Sequence, residues 1–536
     1  MATIIGGGLK NIPGPTAASL RDLDSLAAKT IARGPLNGGM ISTLDKSNLP
    51  DGALSLLTNA RVRDDKVKKR DGTSKYTPTK PDSLRVQLLF EFKQSRTEDY
   101  IVRITPSSAY YSDGNAWTLL TGTLHGGTSN PPSAAVVLNT PVIANGIDRL
   151  QKITLGTTKT IADLSGNAPR ARYVTGFANR VVCASEGDGG DGLVTTFWSA
   201  ERILDEFDPT VETSAGFSPI IESPADFSDF ITGVFGFSNV LILTRERSIW
   251  LASKLPSASN PFNFFNAVPG IGCNVPASIA MTRTGIVFFD TESENVWLYE
   301  PGRPPEAIGD KIRTDLLNNF ESPFRVFGSY NPKEREYMLG IPQSGSATTR
   351  IWVYSFRAKA WAYDEIDNLT AILRRHTLTD YTSFDELTGT FDALSGTFDG
   401  LSDDPTETVS MYFGRSNGDI LIEDSSVLTD DGVNVETIIQ SKEYKSLEVE
   451  LILSLLLFEY TATVSGTATL EYTTDGGSTW TTASSHTTLI TAGTHRIKFS
   501  NTVEANRLMW RIRATDTDIV ILDHVVKMYV SGDSDE

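Results

Sequence analysis

Short hydrophobic runs separated by polar turns recur along most of this chain. Between residues 85 and 430, an apolar run rich in β-branched residues is followed by Gly, Asn, Asp or Ser, and then by a second run that often carries an aromatic side chain. This pattern is typical of antiparallel β-hairpins. It is clearest in six stretches, at 99–120, 172–200, 234–253, 281–302, 328–365 and 410–424.

The spacing of tryptophans indicates the length of the repeating unit. The last four of five marker tryptophans follow one another at intervals of about 50 residues, and the first gap is wide enough for one extra unit around 141–156. Units of this size, each a small antiparallel sheet, are typical of a β-propeller, here with six or seven degenerate blades. A set of irregular β-sandwiches is the alternative. The markers are Trp117, Trp198, Trp250, Trp297 and Trp352.

The two ends of the chain differ from this middle part. From 431 to 536 the apolar runs are longer, and the stretch RLMWRIRA at 507–514 alternates apolar and charged residues as a half-buried strand does. These residues predict a C-terminal β-sandwich. Residues 1–84 are predicted to form an N-terminal arm and platform region, with a short amphipathic helix at 19–33. The predicted fold is therefore all-β, with a propeller at 85–430 that carries a loop insert near 380–405.

Composition narrows the classes of function. The chain has 536 residues and a formal net charge of −18, with 48 Lys and Arg against 66 Asp and Glu. Such a surface should not bind nucleic acid, because phosphate binding needs clustered cations, but it suits a channel through which DNA passes without sticking. The longest apolar stretch, at 451–458, is far too short for a membrane helix, and the N-terminus does not resemble a signal peptide. We therefore expect a protein that is soluble and intracellular where it is made.

Two motifs raise the question of catalysis. TTDGGSTW at 473–480 matches the Asp-box of sialidases, in which the Asp and Gly build a tight hairpin turn and the Trp packs beneath it. It occurs once and outside the predicted propeller. GRSNG at 414–418 matches a nucleophile elbow, but a strand-like run follows it where the elbow needs a helix. Both motifs are better explained as turns.

Other candidate chemistry is weak. Cys183 and Cys273 lie in apolar runs and are predicted to be buried free thiols. The five histidines have no metal-ligand spacing, and IIGGGLK near the N-terminus lacks the Lys-Ser/Thr of a phosphate loop. Carboxylate pairs for glycoside hydrolysis exist among so many acidic residues, but nothing selects one pair. The sequence predicts no catalytic, cofactor-binding or metal-binding residue, no cofactor, and no enzyme. The histidines are His125, His376, His486, His495 and His524.

Two further segments stand out. DDKVKKRDG at 64–72 is a mixed-charge cluster that reads either as an exposed hairpin turn or as a contact with a neighbouring subunit or DNA. The stretch 383–402 repeats Ser/Thr-Phe-Asp-x-Leu-Ser/Thr-Gly nearly every seven residues. Its glycines exclude a coiled coil, and its isolated aspartates do not match a calcium loop. A chain of compact turns between the last blades remains.

These two segments also carry a family resemblance. The repeat at 383–402 resembles repeats in tail proteins of short-tailed bacteriophages, although it has Phe where Trp is expected. The segment at 49–76 resembles the N-terminal region of the same group, with a Pro-Asp-Gly turn, an Asn-x-Arg-Val strand and an Arg-Asp-Gly turn. The chain thus resembles the tail nozzle family, also called tail tubular protein B.

The resemblance implies a structural virion protein rather than an enzyme. It implies a homohexameric ring below the portal and head-to-tail adaptor, which forms the distal DNA-ejection channel and docks tail fibres or spikes. The alternative is a glycan-binding or glycan-cleaving propeller that acts in receptor recognition. A sialidase-type site would need arginines and an acidic pair to meet at the propeller centre, so placement of the candidates on blade exteriors would argue against it. The candidates are Arg245, Arg247, Arg283 and Arg303.

Overall fold

The computed structural model describes residues 29–530 apart from short gaps and one long one. The repeat at 383–402 and residues 19–28 of the expected helix lie outside the described residues. The gaps are 95–97, 115, 123, 126–130, 155–157, 188–189, 224–225, 227, 258, 319–321, 323–324, 379–406, 447–449, 484–487, 491–492 and 500–501.

In the described residues, seven antiparallel units of four strands form the blades of a β-propeller. The first five are separate sheets, whereas blade 6 is part of an eleven-stranded sheet and blade 7 is part of a six-stranded sheet. In blades 1 to 6 the four strands pair in chain order, so that each blade is a simple meander. Blade 1 comprises Leu88–Lys93, Asp99–Ile104, Ala109–Ser112 and Trp117–Leu119. Blade 2 comprises Ser133–Val137, Thr140–Ala144, Gln151–Thr154 and Thr160–Asp163. Blade 3 comprises Ala171–Phe177, Arg180–Glu186, Thr195–Trp198 and Gly216–Pro219. Blade 4 comprises Ile231–Phe237, Val240–Arg245, Ser248–Lys254 and Phe262–Pro269; blade 5, Ala280–Met281, Ile286–Asp290, Asn295–Tyr299 and Glu306–Ala307; blade 6, Phe327–Asn331, Glu336–Pro342, Thr348–Ser355 and Ala360–Asp367; blade 7, Leu369–Leu378, Glu407–Arg415, Ile420–Asp424 and Gly72–Lys75.

The blades close into a ring around their first strands. The first strand of blade 7 lies against the first strand of blade 1, and blades 4 and 5 share an apolar core. The second strand of a blade is covered on both faces by the neighbouring blades, so its side chains are almost all buried, as in Arg180–Glu186 and Ile286–Asp290. This double burial explains why these strands are continuous hydrophobic runs in the sequence.

The tryptophan spacing follows the blades. Trp198, Trp250, Trp297 and Trp352 each lie on the third strand of blades 3 to 6, and Trp117 lies on the fourth strand of blade 1. The extra unit expected around 141–156 is blade 2. The prediction of a propeller of six or seven blades is thus confirmed, with seven.

The last blade is completed by the N-terminal part of the chain. Gly72–Lys75 pairs with Ile420–Asp424 as the fourth strand of blade 7, and Thr429–Asp430 extends this sheet on its far side, paired in turn with Val433–Asn434. The ring is therefore closed by strands from opposite ends of the propeller sequence. The predicted division at 84 and 430 remains a prediction, but hydrogen-bonded strands cross both boundaries.

A two-sheet β-sandwich is built from the remaining strands. One sheet joins Gly493–Phe499, Val503–Ala505, Leu451–Ala462, Val520–Val530, Lys29–Gly34, Lys66–Lys69 and Ala60–Arg63. The other continues blade 6 outward through Leu56–Thr58, Thr437–Gln440, Arg507–Ala514, Gly466–Thr473 and Thr481–Thr482, with Tyr444–Lys445 and Thr488–Ile490 at its margins. The sheets meet in one apolar core, where the rings of Phe458 and Trp510 are 4.6 Å apart. The predicted C-terminal sandwich is confirmed, and it shares a continuous sheet with the propeller.

Few helices lie in the described part of the chain. One short α-helix spans Arg313–Leu316, three 3₁₀ turns span Lys46–Asn48, Gly190–Val194 and Pro276–Ser278, and a two-residue parallel pair joins Gly39–Met40 to Ala53–Leu54. The helix expected at 19–33 is not formed where the structure describes it, because residues 29–33 belong to the strand Lys29–Gly34. Residues 29–34 pair instead with the C-terminal strand Val520–Val530.

Candidate functional site: a buried charged junction between propeller and sandwich

The hairpin at 60–69 places basic side chains inside the protein. Its strands, Ala60–Arg63 and Lys66–Lys69, are joined at Asp64 and Asp65, which both have positive φ as a two-residue hairpin turn requires. Residues 64–66, at the tip of the hairpin, are its exposed residues. The interpretation of 64–72 as an exposed turn therefore holds for its tip alone, because Lys69 and Arg70 are buried.

Arg61 is the centre of a buried ion cluster. Its guanidinium donates to Asp364 Oδ2 from Nε at 3.2 Å and to Glu336 Oε2 at 3.1 Å. Both carboxylates are fully buried, and both belong to blade 6. Arg63 adds two hydrogen bonds of 2.9 Å to the Glu336 carboxylate. The N-terminal hairpin is thus bound to the propeller by largely buried pairs of opposite charge.

The charges shift one another's ionisation. Burial opposes ionisation of Glu336, but Arg61 and Arg63 outweigh it and hold the pKa of its carboxyl below the usual value. Burial likewise raises the pKa of Glu423, whose carboxylate lies 3.6 Å from Arg61. Burial also opposes the charge on Arg61, yet its carboxylate partners raise the pKa of the guanidinium. Arg61 and Glu336 therefore stabilise each other's charged forms against the effect of burial.

Arg70 and Asn59 extend the junction. Arg70 Nε donates to Asn59 Oδ1 at 3.0 Å, and its guanidinium binds the carboxylate of Asp430 in a two-point contact. Asn59, at φ +54°, donates from Nδ2 to Glu436 O at 2.7 Å. Asparagine suits this position because it tolerates left-handed backbone and offers a side-chain donor and acceptor.

Lys69 and Gly72 fasten the same segment to the sandwich and the last blade. Lys69 Nζ donates to the carbonyl oxygens of Val435, at 2.7 Å, and Thr515. Burial, followed by the charge of Arg70, lowers the pKa of Lys69 to about 8. At Gly72 a Cβ atom would lie 2.5 Å from Thr429 O, so only glycine fits there.

The motifs of the segment 49–76 therefore have a mechanical role. Its Asn-x-Arg and Arg-Asp-Gly residues connect blade 6, blade 7 and the sandwich through buried polar contacts. Each charge faces a partner, and the cluster lies under packed strands rather than in a cleft. Sequence reasoning did not find this junction, because the partners of Arg61 lie roughly 300 residues away along the chain.

The two motifs that suggested catalysis form turns. GRSNG connects Glu407–Arg415 to Ile420–Asp424, and Gly418 has φ +89°; no helix follows. In TTDGGSTW, Asp475 accepts hydrogen bonds from the hydroxyl of Thr473, at 2.6 Å, and from the backbone of Thr479. Those hydrogen bonds hold the pKa of Asp475 well below its usual range. The carboxylate is fully engaged in its own turn.

The four candidate arginines of a sialidase-type site do not meet. Arg245 is fully buried inside its own blade and donates to the carbonyl of Ile220 at 3.0 Å. Arg247 lies between the second and third strands of blade 4, whereas Arg283 lies between the first and second strands of blade 5. In antiparallel meanders these turns are at opposite ends, so the two side chains lie on opposite faces of the ring. Arg303 is exposed and paired with Glu300 at 2.7 Å.

The structure also shows the environment of the two cysteines. Cys183 and Cys273 are free and buried, as predicted, and burial raises the pKa of Cys273 to about 12.

Across the described ranges no group of three His, Cys, Asp or Glu side chains could hold a metal ion. In that same part of the chain, no helix has the length and apolarity needed to cross a membrane.

One open cleft of about 550 Å³ lies where blade 6 continues into the sandwich. Its polar groups largely satisfy one another. Gln440 Nε2 donates to Ser55 Oγ at 3.0 Å, and the Arg350 guanidinium lies 4.8 Å above the ring of Tyr363. With Lys46 and Asp315 both on its lining, the cleft has no single sign of charge. It therefore does not define a ligand by its chemistry.

Comparisons with known proteins give only distant similarity. No model of a known protein family matches the chain, and no curated protein matches it. Among solved structures, the WD40 β-propeller domain of Doa1 aligns with 66% of this chain and 96% of its own, at 9% identity and a TM-score of 0.36. A quinonprotein alcohol dehydrogenase-like protein from Bacteroides thetaiotaomicron VPI-5482 aligns with 52% of this chain and 65% of its own, at 12% identity and a TM-score of 0.28. Scores this low carry no argument, so the assignment of a β-propeller rests on the seven blades themselves.

Proposed function

We propose that this chain is a structural subunit of a bacteriophage tail. In this role it forms a six-fold ring, the nozzle, below the portal and adaptor, makes the distal DNA-ejection channel and docks tail fibres or spikes. The observation that carries the proposal is the buried junction. The residues of the 49–76 segment that carry the family resemblance are the ones that bind propeller and sandwich to each other.

The mechanics of such a junction support the proposal. A ring subunit must keep its parts in a constant relative orientation, since every neighbour repeats the same contacts around a closed symmetry. In this chain a continuous sheet runs from blade 6 into the sandwich, and the paired charges of Arg61, Glu336 and Asp364 lie beside it. Directional buried hydrogen bonds favour one arrangement of the two parts over others.

The overall charge supports the channel. A chain with a formal net charge of −18 repels phosphate, so DNA can move past it without specific binding. The motifs that suggested an enzyme, GRSNG and TTDGGSTW, are used as turns, and the four candidate arginines do not converge. These observations favour a structural role over the glycan-cleaving alternative.

Antibody labelling of intact virions, viewed by negative-stain electron microscopy, tests the proposal. We expect label at the axial tip of the tail. Label on lateral appendages would favour the receptor-binding alternative, and absence of label from particles would contradict a virion role. Hydrolysis of a host polysaccharide by the purified chain would show that the protein has an enzymatic activity in addition to any structural role.

A further inference from the structure

The strand Lys29–Gly34 lies at the edge of the sandwich, beside the C-terminal strand Val520–Val530. Pairing runs antiparallel from Lys29 opposite Met528 to Gly34 opposite His524. Among the described residues, no other strand pairs with Lys29–Gly34. Its last residue, Gly34, has φ +126° and open space around its Cβ position, and Pro35 follows. The edge strand is thus followed by a point where the backbone can turn.

Two neighbouring side chains hold the end of this strand. The Gly34 N–H donates to Asp523 Oδ1 at 3.1 Å, and Gly34 O lies 2.6 Å from His524 Nδ1. A carbonyl oxygen only accepts, so Nδ1 must carry the proton of this hydrogen bond. In a neutral ring, Nε2 then has none. Both backbone groups of Gly34 are therefore bound by the pair Asp523 and His524.

The imidazole of His524 is enclosed by apolar rings. It stacks on Phe458 with centroids 6.1 Å apart and lies 5.8 Å from Trp510, and the residue is only 4% exposed. A small cavity beside it is lined by Asp51, Lys442 and Tyr444, with other groups. A charged imidazolium in this place would lose most of its hydration.

Burial and the neighbouring polar groups shift the pKa of His524 in opposite directions. Burial is the largest influence and lowers the pKa of His524, while the carbonyl of Gly34 and the carboxylates of Asp523 and Asp51 raise it by less. Asp51 is itself paired with Lys442 at 2.5 Å, which weakens its effect on the histidine. No other charged group among the described side chains of the packed elements lines this cavity.

We propose that His524 and Asp523 form a proton-sensitive clasp that holds the N-terminal strand on the sandwich near neutral pH and releases it in acid. Protonation gives the enclosed ring a charge and a second N–H group, and local opening at the contact with Gly34 lets water reach them. Because the histidine pKa is lowered in the folded state, the clasp is fully effective above the ordinary value of 6.5. It weakens as the pH falls below that value. The device is independent of the proposed tail function.

Hydrogen exchange measured by mass spectrometry tests the clasp. Protection of the 29–34 amides, corrected for intrinsic exchange, is compared at about pH 7.5 and about pH 5.0. We expect protection to fall by up to tenfold for each pH unit below 6.5, until the lowered pKa is reached. The strand Arg507–Ala514, in the other sheet, should keep its protection.

Two variants separate the clasp from general acid effects. His524→Asn retains a donor close to the position of Nδ1 but cannot titrate in this range, so it should remove the pH dependence. His495→Asn, on the neighbouring strand Gly493–Phe499, should leave it intact. Equal protection of 29–34 at both pH values in the unmodified protein would overturn the proposal, even if His524→Asn failed to fold. Persistence of the loss in a folded His524→Asn variant would overturn it equally.

Discussion

Replacing Arg61 by methionine tests the buried junction directly. The change keeps much of the side-chain volume but leaves Asp364 and Glu336 buried without their central cation. Removing one partner of a buried ion pair typically costs about 3–5 kcal/mol. Arg63 still binds Glu336 at 2.9 Å and Arg70 lies 3.9 Å from Asp364, so we expect about 3 kcal/mol, the lower end of that range.

Urea unfolding monitored by tryptophan fluorescence measures this loss. Arg303→Met is a matched control, because it breaks an arginine–carboxylate contact of 2.7 Å on an arginine side chain that is 75% exposed. The control should change the free energy of unfolding by less than about 1 kcal/mol. The contrast compares a buried arginine that has several carboxylate partners with an exposed arginine that has one.

The pH dependence provides a second readout of the same variant. Because Arg61 and Arg63 lower the pKa of Glu336, its stabilising effect is complete above the ordinary value of 4.5 and is lost as the pH falls below it. In Arg61→Met the buried carboxylates should instead take up protons at higher pH, which relieves the unpaired charge. The difference between the two proteins should narrow from neutral pH toward 4.5. A loss no larger than that of Arg303→Met, or a difference that widens in acid, would refute the reasoning.

Three further predictions concern the closing segment and the core. Gly72→Ala should destabilise the protein by about 1–3 kcal/mol in the same assay, because its Cβ would strike backbone oxygens, while Gly166→Ala, with open space, should be nearly neutral. Lys69→Met should cost about 1–3 kcal/mol by removing a buried donor from the carbonyl oxygens of Val435 and Thr515; a neutral result would contradict this contact. Cys183 and Cys273 should not react with a thiol reagent at about pH 8 until the protein is unfolded, because both are buried; rapid labelling of the folded chain would argue against this placement.

Local patterns in the sequence were sufficient for the architecture. The blades were predicted from two local patterns: apolar runs separated by polar turn residues, and the regular spacing of tryptophans. Both patterns are local because each blade is a meander of neighbouring segments. The tryptophans are Trp198, Trp250, Trp297 and Trp352. The alternation in 507–514 predicted a sandwich strand, since one side of that strand faces the core. In each case the signal lies within a few tens of residues, the range over which periodicity can be read.

The joints between these units were decided by tertiary structure. Nothing local shows that Gly72–Lys75 completes blade 7, that residues 29–33 are a strand, or that Arg61 meets Asp364. The apolar spacing at 19–33 predicted a helix, yet 29–33 pair with the edge of the C-terminal strand. The sequence by itself thus determined the repeating β units. Which distant segments meet, and hence the charged junction and the His524 clasp, depended on the assembled fold, because pairing partners hundreds of residues apart leave no periodic trace in the chain.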